Sequence, residues 1–131
     1  MFNKKKQPPI RSLIADGSQI DGTLRFSDGL RIDGKVIGDV SANSDQASIL
    51  VISETASVIG EIHADHVIIN GSVKGPVYAR LMLELQPKAH IVGDVYYSAL
   101  EMHQGAIIAG QMRPVDVAEE KPTLKLAANN Q

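Results

Sequence analysis

The chain has 131 residues, 44% of them hydrophobic, so it is long enough for one domain with short flanks and apolar enough to build a core. Thirteen Lys and Arg against fifteen Asp and Glu leave a net charge of -2, and aromatics make up 4% with no Trp, which disfavours proteins that neutralise many phosphates or stack bases on aromatic platforms. There is no Cys, which excludes disulfide frameworks, thiolate zinc sites and cysteine nucleophiles, and no apolar run approaches the ~20 residues of a membrane-spanning helix.

The chain begins Met1-Phe2-Asn3-Lys4-Lys5-Lys6-Gln7-Pro8-Pro9. No apolar stretch follows the lysines, so this is not a secretory signal, and a cytoplasmic location is expected. One large apolar side chain beside three lysines is a combination that anionic lipid attracts, at about 1 kcal/mol per Lys near the surface. Met1, Phe2, Lys4, Lys5 and Lys6 are therefore the candidate membrane-binding residues. Residues 1–19 are expected to form a flexible N-terminal tail, with Arg11-Ser12-Leu13-Ile14-Ala15-Asp16 partly covering the first repeat.

From Ile20 onward a five-residue phrase recurs: apolar, any, Gly, any, apolar. It is Ile20-Asp21-Gly22-Thr23-Leu24, then Val36-Ile37-Gly38-Asp39-Val40, Val58-Ile59-Gly60-Glu61-Ile62, Val73-Lys74-Gly75-Pro76-Val77, Ile91-Val92-Gly93-Asp94-Val95 and Ile108-Ala109-Gly110-Gln111-Met112. The glycines are spaced by 16, 22, 15, 18 and 17 residues. A second phrase, apolar-x-apolar, precedes most copies: Leu30-Arg31-Ile32, Leu50-Val51-Ile52, Val67-Ile68-Ile69, Leu83-Glu84-Leu85 and Leu100-Glu101-Met102. Period-two alternation puts the first and third residues of each on one face of a strand. Turn formers such as Asn70-Gly71-Ser72 and Gln86-Pro87-Lys88 separate the phrases.

No single unit of this kind can bury its apolar face, but stacked units can, because each strand pairs with its equivalent above and below. The pattern predicts an all-β, single-domain β-helix of about six short coils over residues 20–112, roughly 30 Å long at one strand spacing per coil. The repeated Gly marks a sharp bend or close approach between coils, and Pro76 marks a corner. The 22-residue spacing accommodates a polar loop, Ser41-Ala42-Asn43-Ser44-Asp45-Gln46. Residues 113–131 are rich in Pro, Glu, Lys, Ala and Asn and are expected to be a disordered tail.

Chemistry-bearing motifs are sparse. There is no phosphate-cradling G-x-x-x-x-G-K-[ST], no G-x-G-x-x-G and no G-x-S-x-G. Four histidines, His63, His66, His90 and His103, sit on turns and strands. Stacking would bring His66 near His90, yet no motif fixes a ligand geometry, so neither metal nor catalytic residues nor cofactor are assigned. Asp39, Glu61 and Asp94 share the position after the Gly, which is read as the outward, solvated position of each strand. A solenoid without caps leaves unpaired strand edges and a slice of core at each end. Ile20 and Leu24 at one end, with Ile108 and Met112 at the other, are the candidate self-assembly residues.

These motifs resemble the bactofilin family of bacterial polymer-forming cytoskeletal proteins. The resemblance spans about residues 10–112. It rests on Ser12-Leu13-Ile14 with Ile20-Asp21-Gly22, on the run Leu30 to Val40, on Ala56 to Ile62, on Gly71-Ser72-Val73-Lys74-Gly75 and on Ala89 to Val95. It implies a right-handed, roughly triangular β-helix that forms non-polar filaments through its end coils, without nucleotide or metal. It also implies an N-terminal peptide that holds the polymer at the inner face of the cytoplasmic membrane, where it scaffolds cell-wall or cell-shape enzymes. No nucleic acid partner is implied. Family members often carry a Phe in the final coil, and residues 106–112 here have none, so either Ile108 and Met112 supply that apolar contact or the junction is weaker.

Two other readings compete. A soluble oligomeric β-helix adaptor would share the fold but not polymerise. A left-handed β-helix acyltransferase rests on a strict six-residue repeat and 18-residue coils, and only one of the five spacings equals 18.

Overall fold

The computed structural model describes residues 8–115. The first coil holds β1 (Ser12–Ile14), β2 (Gln19–Asp21) and β3 (Leu24–Phe26), and the second β4 (Gly29–Ile32), β5 (Lys35–Ile37) and β6 (Val40–Ala42). The chain continues through β7 (Ile49–Ile52), β8 (Ser57–Ile59), β9 (Ile62–Ile69), β10 (Ser72–Lys74), β11 (Val77–Leu85), β12 (His90–Val92), β13 (Val95–Met102), β14 (Ile107–Ala109) and β15 (Met112–Pro114). All pairings are parallel. The described residues contain no helix.

Three faces result. The first stacks β1, β4 and β7 on the later halves of β9, β11 and β13. The second stacks β2, β5, β8, β10, β12 and β14. The third stacks β3 and β6 on the earlier halves of β9, β11 and β13, ending in β15. Thus β9, β11 and β13 turn one corner without a break, and the register shifts between Ala79 and Met82 where they do so. Six coils follow from the first-face register, whose successive offsets are 18, 20, 17, 16 and 17 residues.

The inward columns are β-branched and Leu side chains, which suit a pleated surface buried on one side. On the second face Val36, Val58, Val73 and Ile91 are wholly buried, with Ile20 and Ile108 partly so at the two ends. Leu30, Leu50, Val67 and Leu83 fill the first face, and Val40, Ile62, Val77 and Val95 the third. Each such side chain contributes about 1.5–3 kcal/mol by leaving water.

The glycine corner lies between the second and third faces. Gly60 has φ +152, and a Cβ there would collide with the carbonyl oxygen of Gly38 in the preceding coil. The same collision recurs up the stack at Gly75, Gly93 and Gly110. Both reasons for Gly, a left-handed backbone and close coil-to-coil approach, therefore act at one corner. Pro76 sits at this corner between β10 and β11, where no ladder amide is needed.

The solenoid starts earlier than the sequence pattern indicated. Residues 12–19, expected in the N-terminal tail, belong to the first coil: Ser12, Leu13 and Ile14 pair with Leu30, Arg31 and Ile32. The last strand runs to Pro114, two residues past the expected boundary. The polar loop before β7 is tied down at its end: Ser48 is buried, its amide donates to Asp65 Oδ2 (3.2 Å) and its hydroxyl accepts from the Asp65 amide (3.0 Å).

Candidate assembly interface

Among the described residues both ends of the coil stack are open. At the first end, β1 pairs only with β4, β2 only with β5 and β3 only with β6. At the other, β14 pairs only with β12, β15 only with β13, and the stretch Ala99–Met102 of β13 only with β11. These free edges present unpaired N–H and C=O groups, a template for another strand, except that Pro114 in β15 has no N–H to offer.

The core is cut at the same two planes. Ile14, Ile20 and Leu24 in the first coil, and Leu100 and Ile108 in the last, are only partly buried, whereas their stacked equivalents one coil further in are wholly covered. Met102 and Met112 are 43% and 41% exposed. The structure thus groups Ile20 with Leu24 and Ile108 with Met112, one pair at each end. Ile14, Leu100 and Met102 share these planes and were not singled out from sequence. Ile14 falls in the stretch expected to be a tail, and Leu100 and Met102 form a strand phrase that no sequence feature marks as an end.

The acids after the corner glycines have a structural task. Asp39 Oδ1 accepts the Glu61 amide (2.9 Å), and Asp94 Oδ1 accepts the Gln111 amide (2.9 Å). Each brace joins one coil to the next at the glycine corner, where the carboxylates remain outward and solvated. Glu61 Oε1 lies 3.0 Å from His63 Nε2.

On the third face an outward column forms a ladder of rings. His63 stacks on Tyr78 (centroids 4.4 Å apart), Tyr78 on Tyr96 (4.6 Å), and the Arg113 guanidinium lies 5.8 Å from the Tyr96 ring centre. Partial desolvation in this ladder, with Tyr96, Glu61 and Asp94 alongside, pushes the Tyr78 phenol up from its ordinary range. Near the first end Asp33 is held below the usual carboxylate range by the Ser53 hydroxyl and the Arg31 guanidinium, the latter 2.8 Å away.

The other sequence candidates are dispersed. His66 lies on the first face beside Ile49 and Met82, and His90 on the second beside Ser72 and Ile107, so stacking does not bring them together. A different cluster forms instead, from Glu84, Glu101 and His103. Met1, Phe2, Lys4, Lys5 and Lys6 lie outside the described residues, as do residues 116–131. Among the described residues no helix is long and apolar enough to cross a membrane.

Among the described residues, then, the parallel three-faced β-solenoid leaves both of its end coils without a partner on the outer side. The family model that matches the chain is Bactofilin, described as polymer-forming cytoskeletal, over residues 12–113. The chain belongs to the bactofilin family, and its solenoid is that family's domain. No match is found among curated proteins or among solved structures.

Proposed function

We propose that this chain is a structural, non-catalytic scaffold that polymerises end to end without nucleotide. The observation that carries the reading is the pair of open ends. Each offers three unpaired strand edges around a slice of partly exposed core. A second copy docked there adds a seventh coil to the stack, covering Ile108 as Ile108 now covers Ile91. The two ends differ in sequence, so like-to-like contact gives two distinct isologous junctions and a filament without polarity.

The polymer is held at the inner face of the cytoplasmic membrane by Met1, Phe2, Lys4, Lys5 and Lys6. One apolar side chain and three charges make a weak anchor alone, but a filament displays many copies and gains by avidity. In that position it locates cell-wall or cell-shape enzymes. The test is negative-stain electron microscopy of the purified chain with neither nucleotide nor metal. Thin filaments are expected; uniform small particles would overturn polymerisation and leave the oligomeric adaptor.

A further inference from the structure

The cluster at the last coil is not used by any role above. Glu84 and Glu101 occupy the same outward position on adjacent strands, directly opposite one another in register. Like charges so placed repel. His103 follows Glu101 by two residues, which returns its side chain to the same side. Its Nε2 stands 3.4 Å from Glu84 Oε2 and 3.2 Å from Glu101 Oε2, and the three donor atoms all lie within 4.8 Å of one another. Nε2 itself is covered and makes no hydrogen bond to either oxygen, although the His103 side chain as a whole is 40% exposed. The ring nitrogen stands at ion-pair distance from both carboxylates and is hydrogen-bonded to neither.

A tetrahedral ion with bonds of about 2.0–2.1 Å holds its ligand atoms roughly 3.3 Å apart, and in such a site no ligand atom points at another. The imidazole nitrogen lies 3.2 and 3.4 Å from the two carboxylate oxygens, close to that spacing, and the whole set lies within 4.8 Å. The stack does not repeat the set elsewhere. The positions matching Glu101 and His103 are Glu84 and Gln86 one coil earlier, Ile68 and Asn70 before that, and Arg31 and Asp33 near the other end. Gln86 Nε2 donates to Glu84 Oε2 (3.3 Å), fixing that carboxylate from outside the set.

We propose that Glu84, Glu101 and His103 form a binding site for a divalent transition ion of the zinc type, with the fourth position left to water. Zinc accepts this mix of one nitrogen and two oxygens, and its charge cancels the repulsion between the two glutamates. The ion ties the fifth coil to the sixth beside the free edge Ala99–Met102. Folding does not depend on it, because the ladder there is already complete on the inner side.

The test is competition for Zn2+ between the full-length chain and a chromophoric chelator, with circular dichroism as the check on folding. One ion per chain is expected. His103→Gln, and separately Glu84→Gln, should each weaken it roughly tenfold or more, whereas His66→Gln and His90→Gln should not. In amide exchange, Zn2+ should slow Leu100–Met102 in the parent chain and not in Glu101→Gln. No zinc retained against the chelator would overturn the proposal. So would affinity unchanged in folded His103→Gln and Glu84→Gln, or lost on changing His66 or His90.

Discussion

Replacing Ile108 by Asp tests the assembly reading at its most exposed point. Ile108 points inward on β14, at the plane where the stack is cut, and is partly open in the single chain. Once a second copy docks, it becomes as covered as Ile91, which is wholly buried one coil inward. An unpaired carboxylate enclosed there costs about 3–5 kcal/mol, so the critical concentration for assembly should rise by about two to four orders of magnitude. The single chain is affected much less, because an Asp at the cut plane keeps part of its hydration; lost packing there costs about 1–2 kcal/mol. Ile107→Asp is the matched control. Ile107 points outward on the same strand and is already 54% exposed, so its filaments should be unchanged.

Pelleting across a concentration series measures the effect, with circular dichroism confirming the β-fold. The products also report polarity. If like ends meet, Ile108→Asp leaves the other junction intact and gives dimers, and adding Leu24→Asp reduces these to monomers. If unlike ends met, each single variant would be monomeric and a mixture of the two would form heterodimers. Folded Ile108→Asp and Leu24→Asp chains that both polymerise at the parent concentration would refute the end-to-end mechanism.

At the glycine corner, Gly60→Ala should cost about 2–4 kcal/mol through backbone strain and the clash with the Gly38 carbonyl. Gly22→Ala, with a positive φ but nothing within 4 Å of the added Cβ, should cost clearly less, and equal losses in melting temperature would discount the close approach. Changing Phe2, Lys4, Lys5 and Lys6 together to Ala should abolish flotation with anionic vesicles, three lysines alone being worth about 3 kcal/mol; undiminished flotation would place the anchor elsewhere. Asp33 has a depressed folded pKa, so its stabilising contribution is present above the ordinary carboxylate range and disappears as pH falls through the folded value. The melting temperature of Asp33→Ala should accordingly lie below the parent near neutral pH and converge with it in acid. A gap that persists at low pH would assign the effect to packing.

Much of the coil was legible because it repeats. The Gly-centred phrase located the second-face strands, the following third-face strands and the corner between them, and Pro76 confirmed the corner by what it cannot donate. What stayed hidden depends on partners remote in sequence. Ser12 stands in an inward column and Leu13 points out, so Ser12–Ile14 lacks the apolar alternation of its neighbours and is a strand only because Leu30–Ile32 pairs with it. The unbroken run of β9, β11 and β13 around a corner leaves no turn residue to mark it. The bracing roles of Asp39 and Asp94 needed the next coil's amide in place, which spacing alone does not give. The Glu84, Glu101 and His103 cluster was visible only as two strand phrases in equal register with a histidine two residues on. The side chains that converge were not the histidine pair that stacking suggested.

The two residues assigned to the last coil should not weigh equally in assembly. Met112 begins β15, and that strand ends at Pro114. The Val115 amide donates to Tyr97, so along this extended stretch the odd-numbered amides face β13 and the even-numbered positions face the free edge. Proline has no amide hydrogen, so Pro114 removes a donor from the side a second copy would meet. An edge with a missing donor is a poor template for pairing. The second-face edge at β14 carries no proline, and neither does Ala99–Met102 on the first face. The junction at this end therefore rests mainly on those two faces. Met112→Asp should raise the critical concentration less than Ile108→Asp, by roughly tenfold or more between them, since Met112 stays nearer water. An equal or greater effect at Met112 would show that the third face pairs despite Pro114.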